Sequence, residues 1–389
     1  MMKGSDPISN RAKKRVAYLS SYPPRECGIA AFTKDLIDAV DELDVFRHPA
    51  VIAVNEKETI YNYDRRVRWQ IERDSGDDYS QVAGRVNSSD VDLVNLQHEF
   101  GLFGGEYGEY LNRFLDGVEK PVVTTLHTVQ VDFDEKALAV LKNIVSKSAS
   151  IVVIARIALE VLEKQGVSSS KAYVIPHGCP AIPFVSTEKV KGSLGLKNRF
   201  VLSTFGLISR GKGIEYAIRA LPKVVQKEPR IIYLIIGETH PEVRRTEGES
   251  YRKKLMRLVD ELQLQKHVRF HDRFLSKREF IKYLQATDVC ITPYVSPNQI
   301  SSGTLVYALG AGRAVISTPY LHATEVLAEG RGLFCEFKDH RSIAECIERL
   351  LEDRLRKAIE RRAYKYSRRF VWSNVAKKYV ELFKQLVRG

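Results

Sequence analysis

Two cations set among glycines carry the strongest chemical signal in the chain. They lie in Phe205-Gly206-Leu207-Ile208-Ser209-Arg210-Gly211-Lys212-Gly213, where an apolar run breaks just before a helical pattern. Arg210 and Lys212 can offset the charge of a diphosphate, while Gly206 and its neighbours let backbone amides approach it. A second loop, running from Pro293 to Ala308, brings Gln299, Ser301, Ser302, Gly303 and Thr304 to the start of a helix. Amides left open at such a terminus suit a phosphate or oxyanion, and ordinary capping by Ser301 or Ser302 is compatible with that use.

Three further turns hold polar groups at the ends of apolar runs. Gln97-His98-Glu99 leads into a glycine-rich stretch, Phe100 to Gly105, that suits a hydroxylated ligand. A local hydrogen-bonded His–Glu pair is the plainer alternative. Thr124-Thr125-Leu126-His127 ends in an imidazole that can bond a sugar hydroxyl or take part in proton transfer, or else rest satisfied beneath a loop. Gly28, within Pro23 to Ala30, opens a helix where backbone amides can meet a phosphate or sugar. A structural turn explains that glycine equally well. No GxGxxG or Walker pattern is present, so a dinucleotide or ATP site of those kinds has no support.

The elements that must position these turns alternate short apolar runs with longer amphipathic ones, the pattern of a parallel sheet covered by helices. Strands are expected at 15–20, 50–54, 91–97, 122–126, 151–154 and 173–175, with helices at 29–40, 135–146 and 157–165. From Pro176-His177-Gly178 to about Asn198 the composition turns to Pro, Ser and Lys, which reads as a domain junction. The alternation then restarts, with strands at 200–205, 231–236, 268–271, 289–292, 314–317 and 332–334. Helices are expected at 213–226, 251–262, 343–351, 354–368 and 371–386. Open α/β sheets bind ligands beyond the carboxyl ends of their strands, where all five turns lie.

Composition agrees with two soluble domains: 389 residues exceed one ordinary core, and 44% are hydrophobic. Nothing approaches the run of about 20 apolar residues that spans a bilayer. The polar, basic segment Met1 to Lys14 lacks the apolar core of a signal peptide and reads as a short disordered lead-in. Five scattered cysteines without CxxC spacing argue against disulfides and zinc, so reduced thiols in the cytoplasm are expected. The net charge of +13 draws on a late cluster that includes Arg361, Arg362, Lys365, Arg368 and Arg369. A solvated helical face is the default reading of that cluster, and loose attachment to anionic membrane the second. Without zinc-finger, RNP-like or basic-zipper patterns, nucleic acid is not expected as a partner. Oligomeric state has no signature in the sequence.

Taken together, these motifs resemble the retaining glycosyltransferase family 4, of GT-B fold, from Arg15 to about Arg368. Phe205–Gly213 is similar to the family's Gly-Arg-x(4)-Lys-Gly turn. Gln299–Thr318 is similar to its Glu-x(7)-Glu segment and the small-residue stretch that follows. The resemblance implies two Rossmann-like doubly wound α/β domains facing across a cleft. Residues 15–185 would bind the acceptor, 186–368 the nucleotide sugar, and 369–389 would form a helix crossing back to the first domain. It further implies retaining transfer of a hexose from a GDP- or UDP-linked donor to a hydroxyl on a glycan, lipid or small glycoside. His127, Arg210, Lys212 and Gln299 fall at catalytic positions. Gly28, Gly206, Arg273, Phe274, Ser301, Ser302, Gly303, Thr304 and Tyr307 fall on the donor, and His98 and Glu99 on the acceptor. No cofactor is implied beyond the nucleotide-sugar substrate. No metal is implied either, since cations and helix amides take its place and no Asp-x-Asp pair stands in a suitable loop.

The departures from the family pattern are specific. Gln299 and Tyr307 replace the two glutamates, Leu207 the usual arginine, with Arg210 three residues on, and Ala314 the usual proline. Gln299 can still bond hydroxyls through its carbonyl and its amide, whereas Tyr307 offers one hydroxyl in place of a carboxylate's two oxygens. Two other readings share the same framework. One is a different GT-B enzyme, such as an epimerase or a phosphorylase; the other is a sugar-nucleotide binder without turnover.

Overall fold

The computed structural model describes residues 13–57 and 59–387. The lead-in expected over Met1 to Lys14 therefore lies, up to residue 12, outside the described residues. The chain forms two compact units, residues 1–178 with 372–389, and residues 179–371.

Unit 1 is built on seven parallel strands: β1 (Val16–Ser20), β2 (Ala50–Asn55), β3 (Val67–Glu72), β4 (Leu93–His98), β5 (Val122–Leu126), β6 (Ser150–Val153) and β7 (Ala172–Val174). They lie in the order β3-β2-β1-β4-β5-β6-β7. The chain steps outward from β1 in one direction and then restarts at β4 in the other, which defines a doubly wound sheet. β3 has no counterpart in the sequence expectations. Of its Val-Arg-Trp-Gln-Ile-Glu only Ile71 is buried, because an edge strand presents most of its side chains to solvent. One side of the sheet carries a cluster that includes Tyr18, Phe32 and Leu36; the other carries Leu19, Val94 and Phe114. The last helix, Trp372–Val387, belongs to this unit. Its Tyr379 hydroxyl lies 3.0 Å from Thr125 Oγ1 of β5, and Phe383 packs edge-on to Tyr18. Full burial of a side chain such as Phe383 stabilises by about 1.5–3 kcal/mol.

Unit 2 repeats the plan with six parallel strands: β8 (Phe200–Phe205), β9 (Ile231–Ile236), β10 (Val268–His271), β11 (Val289–Thr292), β12 (Ala314–Ser317) and β13 (Leu333–Phe334). Their order is β10-β9-β8-β11-β12-β13. β9, Ile-Ile-Tyr-Leu-Ile-Ile, is buried throughout, as expected of a strand covered on both faces. The segment entering the unit is held by a buried ion pair. Lys191 Nζ lies 2.8 Å from Asp288 Oδ2, and the same carboxylate accepts from the Thr187 hydroxyl and the Val201 amide. Among the described residues no helix is long and apolar enough to cross a membrane.

Candidate functional site

In a doubly wound sheet the ligand crevice opens where strand order reverses, beyond the carboxyl ends of the two central strands. In unit 2 those strands are β8 and β11. The turns leaving them are the glycine-and-cation segment after Phe205 and the loop from Pro293 to Ser302. The two turns touch. Gly213 is left-handed (φ +61°), and a Cβ there would stand 2.1 Å from the Pro293 carbonyl oxygen, so only glycine fits. A Cβ on Gly206 would lie 3.6 Å from Thr304 Oγ1.

Lys212 Nζ sits 4.1 Å from the centre of the Tyr294 ring, which in turn stacks on Tyr320 at 5.0 Å. Burial alone would raise the Tyr294 phenol. The Lys212 charge and hydrogen bonds with Lys212, Ser302 and Thr304 outweigh burial and leave it below the ordinary phenol range. Ser302 caps the helix Gly303–Gly310, its Oγ accepting from the Leu305 amide at 3.3 Å. The Ser302 amide donates to buried His322 Nδ1 at 2.9 Å, and the His322 amide to the Gln299 carbonyl at 3.1 Å. His322 thus pins the last part of the loop at two points, Gln299 and Ser302. The Gly303 and Thr304 amides, at the first two positions of that helix, have no partner within it.

The other expected donor residues are placed differently. Arg210 is turned to the surface and paired with Glu247 at 2.9 Å. Exposed Gln299 donates to the Ser301 carbonyl at 2.6 Å. Tyr307 packs edge-on to Phe280 within the apolar cluster, its ring 5.6 Å away. Arg273 pairs with Glu279 at 2.8 Å beside exposed Phe274. The turn that carries them is anchored by Asp272, 2.6 Å from the buried Arg252 guanidinium.

In unit 1 the reversal falls between β1 and β4. Gly28 opens the helix Gly28–Asp41 after β1 and is exposed, with no atom within 4 Å of a Cβ built on it. Cys27 caps that helix, its Sγ accepting from the Ala30 amide at 3.3 Å. His98 ends β4 fully buried between Phe100 and Phe103, and neither ring nitrogen has a partner among the described residues. Glu99 accepts from the Thr128 hydroxyl and from the Phe100 and Gly101 amides, although burial leaves its carboxyl above the usual value. His127, one strand further on, places Nε2 2.8 Å from Gln97 Oε1 and packs edge-on to Phe32. Burial, with His177 and His98 nearby, pushes its pKa down to about 3.

The chain has two Asp-x-Asp sequences, and both are engaged elsewhere. Asp90 pairs with Arg15 and Arg68 while Asp92 accepts from the Arg15 amide, at the amino end of the sheet. Asp134 caps the helix Glu135–Lys147. Among the described residues no group of three or more His, Cys, Asp or Glu could hold a metal ion. His322 and Asn95 were not legible as site residues, because each acts through a partner distant in sequence.

Comparison with solved structures supports the fold expected from the sequence. Two doubly wound parallel units in one chain define the GT-B fold, shared with Anabaena HepE in complex with UDP and glucose. The TM-score is 0.76 at 16% identity, covering 96% of this chain and 100% of that one. Sucrose-phosphate synthase from Thermosynechococcus elongatus gives 0.79 at 17% identity, covering 96% and 99%.

Residues 186–367 match the family model of the glycosyl transferases group 1. The D-inositol 3-phosphate glycosyltransferase of Corynebacterium urealyticum is 29% identical over 209 residues, 52% of this chain and 47% of that protein. The phosphatidyl-myo-inositol mannosyltransferase of Mycolicibacterium smegmatis is 26% identical over 275 residues, 69% and 66% of the two chains. The chain thus spans about half the length of the first of these relatives.

Proposed function

We propose that the protein is a retaining, metal-independent glycosyltransferase that moves a hexose from a GDP- or UDP-linked donor to a hydroxyl acceptor. The observation that carries this reading is the meeting of the β8 and β11 turns. There Lys212 and the helix-start amides of Gly303 and Thr304 stand at the strand-order reversal of unit 2. A leaving nucleoside diphosphate gains negative charge as the glycosidic bond breaks. Donors fixed in advance at that place stabilise it without reorganisation. Lys212 is the charged member, and the helix dipole adds to it.

His127, Gly28, Gln299 and Arg210 would complete the sugar and phosphate contacts, with Arg273 and Phe274 at the base. His98 and Glu99 would border the acceptor, a glycan, lipid or small glycoside. A cytoplasmic location with peripheral contact to anionic membrane fits the charge division. Unit 1 carries 26 Lys and Arg against 27 Asp and Glu, and unit 2 carries 35 against 21. Binding without turnover is the second reading. It is favoured by Tyr307, which packs against Phe280 where the family places a carboxylate.

The test is to supply UDP-glucose and GDP-mannose with a panel of glycan, lipid and glycoside acceptors, with and without EDTA. Release of nucleoside diphosphate tied to a product of unchanged anomeric configuration supports transfer. Tight binding with no product across the panel supports the second reading.

A further inference from the structure

The turn that carries Lys212 is fastened on both sides of that residue. The Val295 amide donates to the Gly211 carbonyl at 3.1 Å, and Gly213 abuts the Pro293 carbonyl. Residues 211 to 213 thus lie in register against 293 to 295. Between those two contacts the side chains of Lys212 and Tyr294 meet, with Nζ over the ring, 4.1 Å from its centre. The ring is itself fixed. It is 3% exposed and stacks on fully buried Tyr320 at 5.0 Å, the two planes 14° apart. The Tyr294 carbonyl accepts from the Thr318 hydroxyl at 2.7 Å. All of these residues belong to unit 2.

Arg210, two residues earlier, is ordered in another way, by the Glu247 carboxylate. Lys212 pairs with no carboxylate among the described residues. An aromatic face attracts a cation through its quadrupole and brings no net charge of its own. A lysine stem ordered beforehand also has less rotamer freedom to lose when a ligand arrives. We propose that Tyr294 is a positioning residue for the diphosphate site, its ring holding Lys212 at the meeting of the β8 and β11 turns. This rests on the reading of unit 2 as the donor site and names the residue through which its cation is ordered.

The experiment measures binding of UDP and GDP to the full chain by isothermal titration. Tyr294→Leu should weaken binding about fivefold or more, and Tyr294→Phe, which keeps the ring, by less than about twofold. Lys212→Ala combined with Tyr294→Leu should bind no worse than Lys212→Ala alone, because the ring acts only through Lys212. Losses that multiply in the double variant overturn the proposal. So does a loss in Tyr294→Phe equal to that in Tyr294→Leu, which would assign the effect to the hydroxyl. Phenylalanine bearing one, two or three ring fluorines at position 294 keeps the shape of the core and decides the question even if Tyr294→Leu does not fold. Each fluorine draws negative potential from the ring face. Affinity should therefore fall stepwise along the series and stay level when the series is repeated in Lys212→Ala. A level series in otherwise wild-type protein, or an equal fall in both backgrounds, overturns the positioning role. Unchanged affinity in Lys212→Ala overturns the reading of the site itself, an outcome told apart because Tyr294 is intact in that variant.

Discussion

The Lys212 ammonium stands 4.1 Å from the centre of the Tyr294 ring, joining the turn that leaves β8 to the turn that leaves β11. A cation over an aromatic face is worth about 0.5–2 kcal/mol, enough to hold a long side chain at one place without neutralising it. Lys212 is thus pre-positioned. Lys212→Ala should weaken binding of UDP or GDP about tenfold or more, the scale of one hydrogen bond to a charged group. Its melting temperature should stay close to wild type. Isothermal titration checks this, and unchanged affinity removes Lys212 from the site.

Gly213 and Gly28 make opposite predictions. Gly213 is left-handed and abuts the Pro293 carbonyl, so Gly213→Ala should destabilise by about 1–3 kcal/mol in urea denaturation. Gly28 has open space around it, and Gly28→Ala should leave stability nearly unchanged. Any loss of nucleotide-sugar affinity in Gly28→Ala then reports on a ligand approaching the backbone, not on the fold.

The Lys191–Asp288 pair predicts a large stability effect remote from any ligand. Asp288→Ala leaves the buried ammonium with only the largely exposed Glu188, 2.7 Å away, and removes acceptors from Thr187 and the Val201 amide. Removing one partner of a buried pair costs about 3–5 kcal/mol. Urea denaturation should show that loss, and a change under about 1 kcal/mol would contradict it.

His98 and His127 make the fold sensitive to acid. Burial pushes both down to about 3, from an ordinary value near 6.5. The unfolded chain takes up protons as pH falls through 6.5, whereas the folded chain does not until about 3. Their contribution is complete above pH 6.5 and is lost progressively between 6.5 and 3. His98→Phe removes one of the two groups, so stability should fall less steeply between pH 7 and pH 4. At pH 7 the same variant should match or exceed wild type, because a buried imbalance of about 1–3 kcal/mol disappears with the unpartnered nitrogens. An equally steep acid limb would contradict this account of His98.

The sequence expresses some of these features directly and others hardly at all. Buried parallel strands such as Ile231–Ile236 announce themselves as unbroken apolar runs, and turns such as Gly206–Gly213 as glycines beside cations. β3 is hidden because an exposed edge strand has no apolar run to display. Arg210 and Lys212 look equivalent in the sequence, yet Glu247, 37 residues away, draws Arg210 to the surface. The same limit hides His322, whose bond to the Ser302 amide crosses 20 residues, and the pairing of Gln97 with His127, 30 residues on. Local pattern specifies elements and turns, whereas long-range pairing decides which polar groups remain open for a ligand.

The most direct test of a nucleotide-sugar site at the β8 and β11 turns is a thermal-shift screen of wild type and Lys212→Ala. The ligands are UDP, GDP, ADP and their common sugar conjugates, each with and without EDTA. The predicted result is a rise in melting temperature selective for one base, kept in EDTA and reduced in Lys212→Ala. A ligand at a hundredfold excess over Kd adds about 2.7 kcal/mol of stability, well within reach of the method. No shift with any nucleotide, or an equal shift in the variant, would contradict the site.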